Sequence, residues 1–215
     1  MILGLPVLLH GVPEIITLVG TAWAYDDDAI VIPAGRQAGD ICILFNFALD
    51  LSTETPPSSV TPSGFTSFGT SHTSNAGANA ARFNKWWKQL DGFETSISGM
   101  PEDLDSEAFF LVWVFRKKLG TWATPVMSGE YLHTQTDASS DQTISSGTAP
   151  RACFSATFNG GAPSMAPGAG GSFETSPSTG GKGLWLIQNG PSAPAVVCTP
   201  GGGQGFASGY VGVTL

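Results

Sequence analysis

The side chains with ordinary acid–base reach are sparse in this chain, and their spacing supports little chemistry. His10, His72 and His133 stand far apart, and none has the His-x-x-x-His spacing that aims two imidazoles at one metal. Tyr131 and His133, beside Glu130, would share one face of a strand, where such a pair could pass a proton. Chance proximity is the simpler reading. Serine is abundant, yet no Gly-x-Ser-x-Gly elbow occurs. The glycine run at 201–205 lacks the Lys-Ser/Thr and the following helix of a phosphate loop. Asp26, Asp27 and Asp28 could offer oxygen ligands to a calcium ion, or they could be a solvated turn. Glu102, Asp103, Asp105 and Glu107 read as a polar loop ahead of a strand. No residue is therefore assigned a catalytic, cofactor-binding or metal-ligating role, no cofactor is expected, and the chain reads as non-enzymatic.

The aromatic residues offer another kind of chemistry. Trp86, Trp87, Trp122 and Trp185 could present faces to sugar rings, and aromatics are also favoured at protein interfaces. In a regular strand over 81–90, Trp86 and Trp87 point to opposite faces. One should be core and the other an exposed or interface aromatic. This pair is the candidate glycan or interface contact, with core burial as the simpler reading for any one tryptophan.

Stepping outward, the composition bounds the class. The chain has 215 residues, 41% of them hydrophobic and only 12% charged, with 28 glycines and 15 prolines. That charge content is about half the usual share. A surface of Ser, Thr, Asn and Gly suits extracellular life or a subunit packed among neighbours. The net charge of −8, with nine Lys plus Arg, leaves no basic stripe for phosphates, so no nucleic-acid partner is expected. The basic cluster Arg116-Lys-Lys118 reads as a solvated strand end. Cys42, Cys153 and Cys198 are odd in number, widely spaced and set in apolar runs. They read as buried free thiols, compatible with assembly in a reducing cytoplasm.

The N-terminal stretch is apolar but broken by Pro6 and Pro13, with no basic region ahead of it. It reads as neither a signal peptide nor a membrane span, and no membrane insertion is expected. Residues 1–13 read instead as an arm, with Ile2, Leu3, Leu5, Val7, Leu8 and Leu9 as its partner-contact residues.

No stretch has a sustained 3.6-residue apolar period. Short runs of Ile, Val, Phe, Thr and Trp alternate with Gly/Pro/Ser/Asn clusters, the all-β pattern. Strands are expected over 14–25, 29–32, 40–49, 66–72, 81–90, 94–98 and 108–116. A second set follows over 126–134, 142–145, 152–158, 172–175, 183–189, 195–198 and 210–215. The run 108–116 is apolar almost throughout and should be central and covered on both faces. Residues 51–62 and 159–171 read as long polar loops.

These two sets repeat. Cys42 matches Cys153, Pro62-Ser-Gly matches Pro167-Gly, and Trp86/Trp87 match Trp185. The expected fold is an all-β, jelly-roll-like antiparallel β-sandwich with two similar halves. Residues 14–215 form one sandwich domain, with half-repeats over about 30–118 and 142–215. The last strand leaves no polar tail, so its edge should be paired or covered.

The blocks Gly39-Asp40, Pro62-Ser-Gly-Phe-Thr66, Lys85-Trp-Trp-Lys88 with Asp91-Gly92, and Val114-Phe-Arg116 resemble a pattern in small virion proteins of tailed bacteriophages and gene-transfer-like particles. The resemblance covers about residues 30–118. It implies a structural protein of the tail tip, fibre or head decoration, oligomeric and possessed of no catalytic residue. Its partners would be copies of itself and other virion proteins, and its location the virion, assembled in the host cytoplasm. An exposed position would let it contribute to host attachment, with a host surface glycan as a further partner. The alternatives are a glycan-binding receptor module using loops 51–62 and 159–171, and a polysaccharide-degrading enzyme drawing on Glu130, Tyr131 and His133.

Overall fold

The computed structural model describes residues 16–25, 29–50, 60–69, 72–76, 79–98, 107–118, 121–134, 141–158, 162–174, 181–199 and 207–215. The first half contributes β1 (Ile16–Tyr25), β2 (Ile30–Val31), β3 (Ile41–Asp50), β4 (Thr66–Ser67), β5 (His72–Ala76), β6 (Asn79–Gln89), β7 (Ser96–Ile97) and β8 (Glu107–Lys117). The second contributes β9 (Val126–Thr134), β10 (Gln142–Ile144), β11 (Arg151–Phe158), β12 (Ser164–Ala166), β13 (Gly171–Glu174), β14 (Gly181–Gln188), β15 (Val196–Thr199) and β16 (Ala207–Thr214). No helix occurs among the described residues. Every strand pair is antiparallel.

The two halves follow one plan. A large sheet runs β1-β8-β3-β6, with β4 and β5 both on β6; its counterpart runs β9-β16-β11-β14-β13. The small sheets are β2-β7 and β10-β15-β12. Within each half the order first–eighth–third–sixth in one sheet, with the second strand beside the seventh in the other, is the jelly-roll arrangement of eight strands. The register aligns the halves residue by residue. Ile41 faces Gln89 and Phe115, as Ala152 faces Ile187 and Val213. Cys42 therefore occupies the place of Cys153. Thr66 faces Trp87 as Gly171 faces Trp185, which puts Trp87 in the place of Trp185 and Pro62 in the place of Pro167.

The sheets stack in four layers. Alternation along β3 divides its side chains: Ile41, Ile43, Phe45 and Phe47 enter the central core, while Cys42 and Leu44 enter an outer one. The central core lies between the two large sheets. Phe154 of β11 sits among Phe45, Trp113 and Phe115 at centroid distances of 5.1, 4.7 and 6.0 Å. The first outer core joins Ile30, Ile32 and Ile97 to the back of β3 and β8. The second joins Ile144, Met165, Val196 and Cys198 to Cys153, Leu184 and Leu186.

The large sheets are reciprocally placed. β9 lies against β5 and β6. At the opposite seam Asn189, just past β14, binds the backbone of Ile16 twice: the Ile16 N–H donates to Oδ1 and Nδ2 donates to the Ile16 carbonyl, both at 2.9 Å. Since β1 corresponds to β9 and β14 to β6, each edge covers the partner of the other, as across an internal two-fold.

Strand β8 is flanked by β1 and β3 and is buried from Ala108 to Phe115, as its apolar run requires. β16 is paired on both sides, by β11 and β9. Two local expectations change. The stretch 66–72 is broken at Gly69 (φ 69°), leaving β4 and β5 as separate strands. The polar stretch 159–171 contains β12, which pairs with β15 and buries Met165 opposite Cys198. Its small residues carry no strand signal of their own; they pair through backbone hydrogen bonds with the edge of β15.

Truncating Phe154 removes the side chain that joins the two large sheets. Phe154→Ala should lower unfolding free energy in denaturant by about 3–5 kcal/mol, against about 1 kcal/mol or less for Thr143→Ala, whose side chain is exposed.

Candidate functional site

The residues with the most organised polar geometry lie where the first half meets the connector to the second. Residues 32–40 lead into β3, and residues 118–125 connect β8 to β9. Asp40 is buried beside this junction. Its carboxylate accepts from Arg116 Nε and Nη2, each at 2.8 Å, and from the Gln37 N–H at 2.7 Å. Nη2 also donates to the Gly35 carbonyl at 2.8 Å. The hydrogen bonds to Asp40 raise the Arg116 pKa. From the connector, the Trp122 indole N–H donates to the Gly39 carbonyl. Lys117 donates to the Thr121 carbonyl at 3.1 Å and holds its ammonium 5.6 Å from the centre of the Trp122 ring. These side chains enclose a cleft of about 210 Å³, lined by Gln37–Asp40, Arg116, Lys117 and Trp122.

A neighbouring turn abuts this loop. Gly92 has φ 90°, and a β-carbon there would come within 2.7 Å of the Ala38 nitrogen, so glycine is required on both counts. Glu94 accepts from the Asp91 and Gly92 N–H groups at 3.1 Å and pairs with Lys88 at 3.0 Å. Asp91 accepts from the Phe93 N–H at 2.8 Å. The turn so fixed holds Phe93 outward, 87% exposed.

The second half ties its equivalent loop with the opposite charge. Arg151 stands in the place of Asp40 and is fully buried. It donates to Gln188 at 2.9 Å and to the Pro194 carbonyl at 2.7 Å, and it also reaches the Ser145 carbonyl.

A different feature is the free edge of the six-stranded sheet. Among the described residues β1 pairs on one side only, with β8. Its ten residues include no Lys, Arg, His, Asp, Glu or Pro. Trp23 on it is 46% exposed.

The structure relocates the aromatic candidates. Trp86 is 2% exposed, packed in the first outer core, and donates its indole N–H to Thr61 at 3.2 Å. No face of it is open to a sugar. Trp87 does point the other way, but it packs against the central core rather than outward. Trp86 is thus the core member of the pair, and Trp87 is half-buried against the central core. The aromatics that are exposed, Trp23 and Phe93, were missed because an edge strand and a turn give no alternation against which to read exposure. Asp40 and Arg116, also unassigned from sequence, lie 76 residues apart and meet only through the pairing of β3 with β8.

Glu130, Tyr131 and His133 lie on β9. Ile2, Leu3, Leu5, Val7, Leu8 and Leu9, the acidic run 26–28, and most of the loop 51–62 lie outside the described residues. All three cysteines are buried and free. Burial pushes the Cys42 thiol far up, and raises Cys153 to about 11 and Cys198 to about 12. Among the described residues no cluster of His, Cys, Asp or Glu could hold a metal ion, and no helix is long and apolar enough to cross a membrane.

Compared with family models, curated proteins and solved structures, the chain matches none.

Two outcomes follow from these groups. Burial pushes the Glu94 carboxyl up, but the Asp91 N–H, the Lys88 ammonium and the other turn donors outweigh it and hold it at about 2, below its ordinary 4.5. The stabilisation is therefore complete above pH 4.5 and is lost as pH falls toward 2. Denaturant unfolding of Glu94→Gln should lose about 1–2 kcal/mol less than the wild type between pH 6 and pH 3. Separately, the native protein should show no fast thiol toward a disulfide reagent at pH 8, and all three thiols should react once it is unfolded.

Proposed function

We propose that this chain is a non-enzymatic structural subunit of a larger assembly, the virion of a tailed phage or phage-like particle, tail- or head-associated. It would join copies of itself through the free edge of β1. The observation that carries this reading is the ten-residue edge without a charge or proline. Edge strands of proteins that stay apart are guarded by charges, prolines or bulges. β1 has one irregularity, between Leu18 and Gly20, and Asn189 caps the backbone of its first residue, Ile16; among the described residues no charge or proline guards the rest. Among the outer strands of the two large sheets, β9 includes Glu130 and His133, β13 includes Glu174 and β5 includes His72, while β4 is only two residues long.

A second copy is the occupant the charge balance favours. At a net charge of −8 two copies repel over most of their surface, and association is least opposed where both surfaces are neutral. Antiparallel pairing of β1 with the β1 of another copy would be self-complementary about a two-fold. Further support comes from the sparse charge of the chain, the resemblance of residues 30–118 to small virion proteins, and the jelly-roll arrangement, which viral coat proteins use among others. The fold contributes analogy only, since one architecture hosts many roles.

Light scattering across a concentration series tests the proposal. The wild type should form a defined oligomer. Thr17→Lys with Trp23→Lys, at two exposed positions of β1, should reduce it to a monomer with a circular dichroism melt close to the wild type's. A wild type monomeric at all concentrations would overturn the reading. So would an oligomer that survives the double substitution and dissociates only when residues 1–13 are removed, since the edge would then not be the joint.

A further inference from the structure

The chain just past β14 carries a labile pair of residues that the fold does not call for. Asn189 is followed by Gly190. Counted on from the equivalent residues Gln89 and Ile187, this step stands in the place of Asp91-Gly92 in the first half. At Gly92 the backbone demands glycine, with φ 90° and a β-carbon that would come within 2.7 Å of the Ala38 nitrogen. At Gly190 it does not. Its φ lies outside the left-handed region, and a β-carbon there would meet nothing nearer than the Ser192 carbonyl oxygen at 3.4 Å, an ordinary contact.

The consequence of this glycine falls on its neighbour. Asparagine amides are thermally labile. Glycine as the next residue leaves its own nitrogen unhindered and its backbone free to turn toward the asparagine side chain. Gly190 is exposed, and among the described residues its N–H donates to no other group. Asn189 is half-buried, within reach of water. It also holds the seam between the halves, accepting from the Ile16 N–H through Oδ1 and donating to the Ile16 carbonyl through Nδ2, both at 2.9 Å. An amide does both; a carboxylate only accepts.

We propose that Asn189-Gly190 is a site of spontaneous deamidation that releases this clamp. The Gly190 nitrogen attacks the side-chain carbonyl carbon of Asn189. A bond forms between that nitrogen and Cγ, the Cγ–Nδ2 bond breaks, and Nδ2 leaves as ammonia with the proton from Gly190. Water then opens the succinimide at either carbonyl, giving aspartate or isoaspartate. No oxidant or second substrate is consumed. The product of direct reopening has a carboxylate oxygen where Nδ2 stood, facing the Ile16 carbonyl, so a hydrogen bond becomes a repulsion. Both amide atoms are engaged while the seam is closed, so the reaction runs from the locally opened state, and its product cannot restore the clamp. One consequence rests on the assembly proposed above. Asn189 meets β1 at its first residue, so the new negative charge guards an edge that has none and weakens its pairing with another copy.

The test is incubation of the full chain at pH 8 for several weeks, folded and in urea, as wild type and as Gly190→Ala, followed by peptide mass mapping. Replacement of NH2 by OH marks conversion, and the map separates Asn189 from Asn159-Gly160, which lies outside the described residues. The folded wild type should convert at Asn189, more slowly than in urea. Gly190→Ala should keep the wild-type melt and convert severalfold more slowly in both states. The converted form, separated on anion exchange by its added charge, and Asn189→Asp should each melt about 2–4 °C lower, the shift for one net hydrogen bond in a chain of this size. Light scattering should find the converted form less associated. Mass and melting read the modification whether or not the chain associates, so a monomeric wild type would sink the assembly and leave this site standing. An intact Asn189 amide in the folded wild type, equal conversion in Gly190→Ala, or a converted form that melts with the wild type would overturn the inference.

Discussion

The seating of Phe154 among Phe45, Trp113 and Phe115 is the contact on which the rest of the architecture depends. Each half is a small unit with a thin outer core of its own; among the described residues the second outer core contains five buried residues. The large central core exists only when the two big sheets meet. Aromatic rings dominate that meeting because a flat sheet-to-sheet gap of about 10 Å has to be filled from both sides. Phe45 alone contacts four other rings. Once these rings interlock, the edges are committed: β9 must lie over β5 and β6, and Asn189 must meet Ile16.

Against that shared frame, the two halves have diverged where polar groups secure the loops. The position at the start of the third strand carries Asp40 in one half and Arg151 in the other. Both are buried and both gather loop groups, but a carboxylate gathers donors and a guanidinium gathers carbonyls. The first solution needs a cation opposite, and β8 supplies Arg116. That demand leaves one half with a paired cationic end beside the connector, and the other without it. The cleft beside the connector is thus a consequence of how one loop was secured, placed at the covalent join between the halves.

Much of the fold was legible in the residues. Short apolar runs between glycine and proline clusters marked the strands, and the two-residue period of β3 separates central from outer core in the structure. The matches of Cys42 with Cys153 and of Pro62 with Pro167 hold to the residue. Other features were not legible for identifiable reasons. β12 has no β-branched residue and becomes a strand because β15 offers it a ladder. The exposure of Trp86 and Trp87 could not be read from alternation, which says that two neighbours face opposite ways but not what lies on either side.

What the sequence by itself determined is local and periodic: an all-β chain, doubled, with few charges and no catalytic spacing. These follow from side-chain type and from the alternation of strands, which need only near neighbours. What the tertiary structure decided is everything that joins distant residues. The meeting of the two large sheets, the pairing of Asp40 with Arg116, and the place of β1 as an uncharged outer strand among the described residues depend on which strands become neighbours. Strand order is set by the summed burial of both halves, an energy that no single segment contains.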